Sequence, residues 1–233
     1  MINPIYILVG SVIFLIYGGL NYYIGLRGWQ ALLSFIPILT PKVYWPIFWL
    51  ISLSFLISRF GHKFLPTVVY EAMNLVGAYW LAFMWYFLLV ITALDLLRLI
   101  DRRLRLVPLE LKQGLNPALG LTAFILVVAI VGYGAWNARH PGVNHYDLTI
   151  AKQAGSLKQL HVVMVSDIHL GTIVHNDHLT KMVKTVNQLK PDLVLFAGDV
   201  FDETIESSDK EQIAETFSKL SAPYGVFAVL GNH

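Results

Sequence analysis

The stretch VVMVSDIHLG, residues 162–171, decides how the C-terminal part of the chain folds. Its apolar start, rich in valine, is broken by Ser166 and Asp167 and closed by Gly171, the pattern of a buried strand running into a loop. Asp167 and His169 therefore stand at the carboxyl end of a core strand. In an open α/β sheet that edge is where ligands bind, because its loops present side chains without disturbing the core. An Asp and a His two residues apart can both reach one metal ion.

Outward from this strand, the rest of the polar part repeats the same design. Leu179, Met182, Val183, Val186 and Leu189 recur at helical spacing after Asn176 and Asp177, either of which can cap, and the helix ends before Pro191. A second apolar run, Leu193–Phe196, stops at Ala197-Gly198-Asp199. A further helix carries Ile213, Phe217 and Leu220, and a third strand over 225–230 ends in Gly231-Asn232-His233. The order β-α-β-α-β makes the strands parallel, since such crossovers are short and nearly always right-handed. Asp167, His169, Asp199, Asn232 and His233 are then brought to one edge. Each cluster alone is ordinary turn chemistry; three at matching strand ends are not. His175 and His178 follow the first cluster and are read as exposed polar positions.

Before residue 137 the composition is different. Of 233 residues, 56% are hydrophobic and only 14% charged, unusual for a soluble domain. Residues 1–137 hold nine Lys/Arg against four Asp/Glu, a net of +5, and residues 138–233 hold eight against eleven, a net of −3. Seven of the eight histidines lie in the second part. With no cysteine, thiolate metal sites, disulfides and cysteine nucleophiles are excluded.

Four apolar stretches, at about 5–26, 43–58, 75–94 and 117–136, are read as membrane spans, a length suited to about 30 Å of hydrocarbon. The first has no basic residue ahead of it and is too long for a usual signal-peptide core. Arg27–Lys42 reads as a connection holding a short interfacial helix with Trp29, Leu32, Leu33 and Ile36. The connection Arg98–Gln113 carries Arg98, Arg102, Arg103, Arg105 and Lys112, and its positive charge marks the cytoplasmic side. Four spans then place everything after Trp136 outside the cytoplasm, in a multi-pass cell-membrane protein. Asp95 and Arg98 can pair at a span's end. No aromatic residues interleave the basic ones, so the expected partner is the lipid bilayer and not nucleic acid. Domain organisation is thus a membrane domain at 1–137, a linker and edge strand at 138–156 (with the strand over 145–150), and an α/β domain at 157–233.

The three blocks Asp167-Ile168-His169, Gly198-Asp199 and Gly231-Asn232-His233, in this order and about 30 residues apart, resemble the calcineurin-like metallophosphoesterases. The resemblance covers 157–233, and the apolar N-terminus looks like that of membrane-anchored members. It implies a multi-span α-helical membrane domain followed by part of an α/β metallophosphoesterase domain, the β-α-β-α-β half of a layered sheet. It further implies two divalent metal ions, with Mn, Fe or Zn suited to mixed carboxylate, imidazole and amide ligands. Asp167 and His169 would bind the first, Asp199 would bridge both, Asn232 would bind the second, and His233 would act at the scissile phosphate. The implied reaction is hydrolysis of a phosphate mono- or diester or a pyrophosphate, lipid-linked esters included, by a hydroxide activated between two metals. The family pattern continues with an acidic residue and a Gly-His-x-His block, so the sequence is read as part of a longer enzyme and as inactive by itself. The alternative is a non-catalytic membrane protein using a partial phosphoesterase fold as an interaction module.

Overall fold

Long apolar runs separated by proline-containing breaks give four helices, α1 (Pro4–Leu32), α2 (Pro41–Gly61), α3 (Thr67–Leu104) and α4 (Leu109–Ala138). The computed structural model describes residues 4–152, 155–171, 174–201 and 207–232, with the backbone alone for 109–116 and 207–209. Pro41 opens α2, where its missing N–H costs nothing and its fixed φ suits the first turn. Arg105 closes α3 in the left-handed conformation, its N–H donating to the Asp101 carbonyl at 2.7 Å, while the Asp101 carboxylate accepts from Val107 N–H at 2.9 Å. Stretches of all four helices, Pro4–Leu32, Pro41–Gly61, Thr67–Leu104 and Pro117–Ala138, are long and apolar enough to cross a membrane.

These helices pack through aromatic and small residues. Ile24, Phe48, Trp80 and Ile91 form the core, and the Phe48 and Trp80 rings meet edge to face at 5.3 Å. A Cβ at Gly77 would lie 2.5 Å from the backbone of Phe55, so α2 and α3 approach as closely as only a glycine allows. Buried Asn21 accepts from Trp80 Nε1–H at 2.8 Å and donates to the Tyr17 carbonyl at 2.9 Å.

Two sequence expectations are corrected in this unit. Trp29 and Leu32 belong to α1 itself, which runs on to Leu32, so no separate interfacial helix contains them. The α3 helix likewise continues through Leu104, placing Arg98, Arg102 and Arg103 on its last turns. In both places the helix continues past the apolar stretch through residues with no proline to stop it.

The chain divides into compact units at 1–141 and 142–233. In the second, β1 (Val162–Val165), β2 (Leu193–Ala197) and β3 (Val226–Val229) form a parallel sheet in the order β1-β2-β3. The connecting helices are α5 (Asn176–Gln188) and α6 (Ser207–Ser218). Leu179, Val183 and Val186 on one stripe of α5 are buried with Leu170, Val194, Phe196 and Ile213. His175, not Asn176 or Asp177, occupies the N-cap position of α5, without a side-chain cap hydrogen bond. The edge strand expected over 145–150 does not form. Its alternating residues are exposed, Tyr146, Leu148 and Ile150 among them, and among the described residues no strand pairs with them.

Asp192 fixes where the strands enter the sheet. Its N–H donates to the His161 carbonyl at 2.8 Å, its carboxylate accepts the His161 N–H at 2.8 Å, and its carbonyl accepts the Tyr224 N–H at 2.8 Å. One residue thus ties the starts of all three strands, setting the register that aligns their far ends.

Candidate metal centre

Beyond β1 and β2 the two loops run side by side. The Asp167 N–H donates to the Gly198 carbonyl at 3.4 Å, His169 N–H to Asp199 at 3.0 Å and Leu170 N–H to Val200 at 2.9 Å. Leu170, fully buried, anchors the first loop in the core, and His169 immediately before it is carried to the edge.

Asp167, His169 and Asp199 each adopt the left-handed backbone conformation, with φ of 54°, 50° and 47°. That region is sparsely used by residues other than glycine, although Asp and His reach it more readily than most. Such backbone states cost on the order of 1–3 kcal/mol each and gather where a site demands a particular side-chain direction. Here all three belong to residues capable of binding a cation.

The third strand end closes on the same place. Gly198 has φ of +85°, and a Cβ built on it would lie 2.9 Å from the Gly231 Cα. A Cβ at Gly231 would overlap the Asp199 carboxylate. Asp199 is thus packed against bare backbone at the end of β3, and Asn232 is the next residue.

One ligand atom from each of Asp167, His169 and Asp199 lies within 4.8 Å of the others. His169 and Asp199 are half-buried and Asp167 is exposed. A cation bonded at about 2.0–2.2 Å holds its ligand atoms within roughly 4.4 Å of one another, so a small contraction closes this set. Two carboxylates and an imidazole are donors for borderline divalent ions, and the residues present fit such a group. The structure brings these three residues together. Asn232 is exposed and adjoins them through Gly231, while His233 lies outside the described residues. His175 is exposed and His178 half-buried; neither joins the group. Sequence reasoning missed Asp192, whose signal is its place between Pro191 and a strand, four residues after the end of α5.

A parallel sheet that gathers two carboxylates and an imidazole on adjoining strand ends is an α/β domain with a candidate metal site. Residues 160–233 match the family model described as calcineurin-like phosphoesterase. An uncharacterized metallophosphoesterase of Campylobacter jejuni is 30% identical over 242 residues, covering 98% of this chain and 59% of its own. A transmembrane protein with metallophosphoesterase domain from Danio rerio is 34% identical over 112 residues, covering 48% of this chain and 25% of its own. The UDP-2,3-diacylglucosamine pyrophosphatase of Chlamydia muridarum is 36% identical over 88 residues, covering 37% of this chain and 26% of its own. The chain thus spans between a quarter and three-fifths of the length of these relatives. No solved structure matches it.

Proposed function

We propose that the protein is a membrane-anchored, metal-dependent phosphoesterase, with residues 1–137 as anchor and residues from 157 onward forming the catalytic domain. The observation that carries this reading is the meeting of Asp167, His169 and Asp199, from two adjacent strand ends, within 4.8 Å. Asp167 and His169 would hold one cation, and Asp199 and Asn232 would contribute to a second, with Asp199 shared between the two. His233 hydrogen-bonds the scissile phosphate or protonates the leaving oxygen. When bound, the two cations, of the Mn, Fe or Zn type, supply the charge that activates water and stabilises oxygens turning negative at phosphorus. The chain's own contribution is to fix the ligands on rigid strand ends. Gly231 keeps the space beside Asp199 free of a side chain.

The substrate class is a phosphate ester or pyrophosphate carried at a membrane surface. Two observations support the lipid-linked form: four helices able to cross a bilayer, and similarity to a pyrophosphatase whose named substrate carries two acyl groups. Arg98, Arg102, Arg103 and Arg105 at the end of α3 favour the cytoplasm on that side. With four spans, the catalytic domain then faces outward.

Substituting Asp199→Asn in the full-length protein tests the site. Turnover of a phosphodiester should fall about a thousandfold, as expected from losing several kcal/mol of charge stabilisation. Bound metal, counted by elemental mass spectrometry, should fall with it while membrane insertion persists. Unchanged hydrolysis would reject the assignment. For orientation, Asn144→Cys in this cysteine-free chain should react with an impermeant thiol reagent on intact cells. Labelling only after lysis would put the catalytic domain in the cytoplasm.

A further inference from the structure

Within the helical unit, a charged cluster joins α1 to α3. The Asp95 carboxylate accepts from Tyr23 hydroxyl at 2.6 Å, from Arg98 Nη1 at 2.9 Å and from Arg27 Nη2. Arg27 also donates to Gln30 Oε1 at 3.0 Å, and its guanidinium lies 5.7 Å from the Tyr23 ring centre. The three charged side chains are partly accessible, at 34% for Arg27, 33% for Arg98 and 23% for Asp95.

As a simple ion pair this arrangement is out of balance. One carboxylate, already taking three donors, faces two guanidinium groups, leaving a net charge of +1. The Nε–H groups of both arginines are buried and have no hydrogen-bond partner among the described residues. Around the cluster the surface is apolar, with Leu96, Leu97 and Leu99 exposed by 55%, 61% and 56%. Tyr22, Trp29 and Trp45, the side chains typical of a membrane–water boundary, lie on α1 and α2 near the same end. An uncompensated positive charge beside hydrocarbon is unfavourable. An anion with several oxygens relieves the charge and takes up the remaining Nη–H donors of the partly accessible guanidinium groups.

We propose that Arg27 and Arg98 form a binding site for a phosphate ester, with Asp95 and Tyr23 holding the two guanidinium groups in place. Planar guanidinium forks match phosphate oxygens, and two forks from different helices give more donors than one carboxylate ligand can use. At a bilayer boundary the phosphate can come from a lipid headgroup or from a soluble phosphate compound. Both share the chemistry read here, and this site is separate from the one proposed to hydrolyse phosphate esters.

The full chain in lipid nanodiscs tests this, with native mass spectrometry counting bound dioctanoyl phosphatidic acid and Trp fluorescence following thermal unfolding. Phosphatidic acid should be retained over phosphatidylcholine, and Arg98→Gln should weaken retention by at least about tenfold, the worth of one charge-assisted hydrogen bond. Arg98→Lys, which keeps the charge and the Asp95 pair, should also lose affinity because it lacks the fork. Lys63→Gln, away from the cluster, should have no effect. Displacement of the lipid by millimolar inorganic phosphate would identify a soluble ligand as the natural source, and resistance to it a lipid. Equal retention of the two lipids, or an Arg98→Lys protein that folds and binds like the unmodified chain, would overturn the proposal. If Arg98→Gln does not fold, Arg98→Lys decides.

Discussion

Both units of the molecule bury an apolar core, but among the described residues the fully buried polar side chains lie in the helical unit. In the helical unit Asn21, Ser52 and Ser54 have no exposed surface, while Ile5, Ile13 and Leu15 are exposed by 63%, 60% and 75%. In the α/β unit it is Leu170, Leu179 and Val194 that are fully buried, and the polar residues stand at the strand ends. The same chain thus follows two solvents. Where water surrounds the fold, removing apolar surface drives packing. Where hydrocarbon surrounds it, that force is absent between helices, and close approach with internal hydrogen bonds takes its place. The serines illustrate this. Ser54 and Ser58 donate to carbonyls three residues back in their own helix, at 2.6 and 2.9 Å, and leave little bulk at the surface of α2.

Substitutions can break or sharpen this contrast, and the largest effect is expected where the α/β unit concentrates its chemistry. Gly231→Ala puts a methyl group into the space of the Asp199 carboxylate. Displacing that ligand by about 1 Å should lower turnover in the full-length protein about a hundredfold. Bound metal should decrease, and membrane insertion should be unaffected. Wild-type turnover and metal content would show that Asp199 is not held as described.

Next in size is Leu179→Ala, which removes a fully buried side chain between α5 and the sheet. It should cost about 2–5 kcal/mol, read as lost hydrogen-exchange protection in α5 and β2 with none in α1 to α4. If protection fell in the helices as well, the two solvents would not be acting on separate units. The smallest effect belongs to the membrane unit. Trp80→Phe removes the hydrogen bond to Asn21 yet keeps an aromatic ring in the core. About 0.6 kcal/mol is expected, because the unfolded helix in lipid finds other partners. A detergent-unfolding loss several times larger would mean that the buried amide carries the packing.

The parts of this organisation visible in the sequence are those with short-range causes. Apolar runs stopped by Asp or Gly mark β1 and β2, and the stripe Leu179, Val183 and Val186 marks α5. The parallel sheet follows from the alternation of these elements, and with it the meeting of Asp167, His169 and Asp199. What could not be read depends on distant partners. Residues 145–150 alternate like a strand, but a strand needs a neighbouring edge, and alternation carries no information about that. The Asp95–Arg98 pair was legible from helical spacing, whereas Arg27, 68 residues away, joins them only because α1 and α3 pack together. The reach of α1 and α3 past their apolar stretches was hidden for a simpler reason: hydropathy marks where lipid begins, not where a helix stops.

The left-handed backbone at Asp167, His169 and Asp199 has a consequence for how this sequence can change over generations. At these three positions the fold alone favours glycine, which adopts that conformation without strain. Selection for a stable domain and selection for a cation-holding one therefore pull in different directions at the same codons. Glycine at any of the three would relieve that strain while removing a candidate ligand, so stability and the proposed cation site trade against each other there.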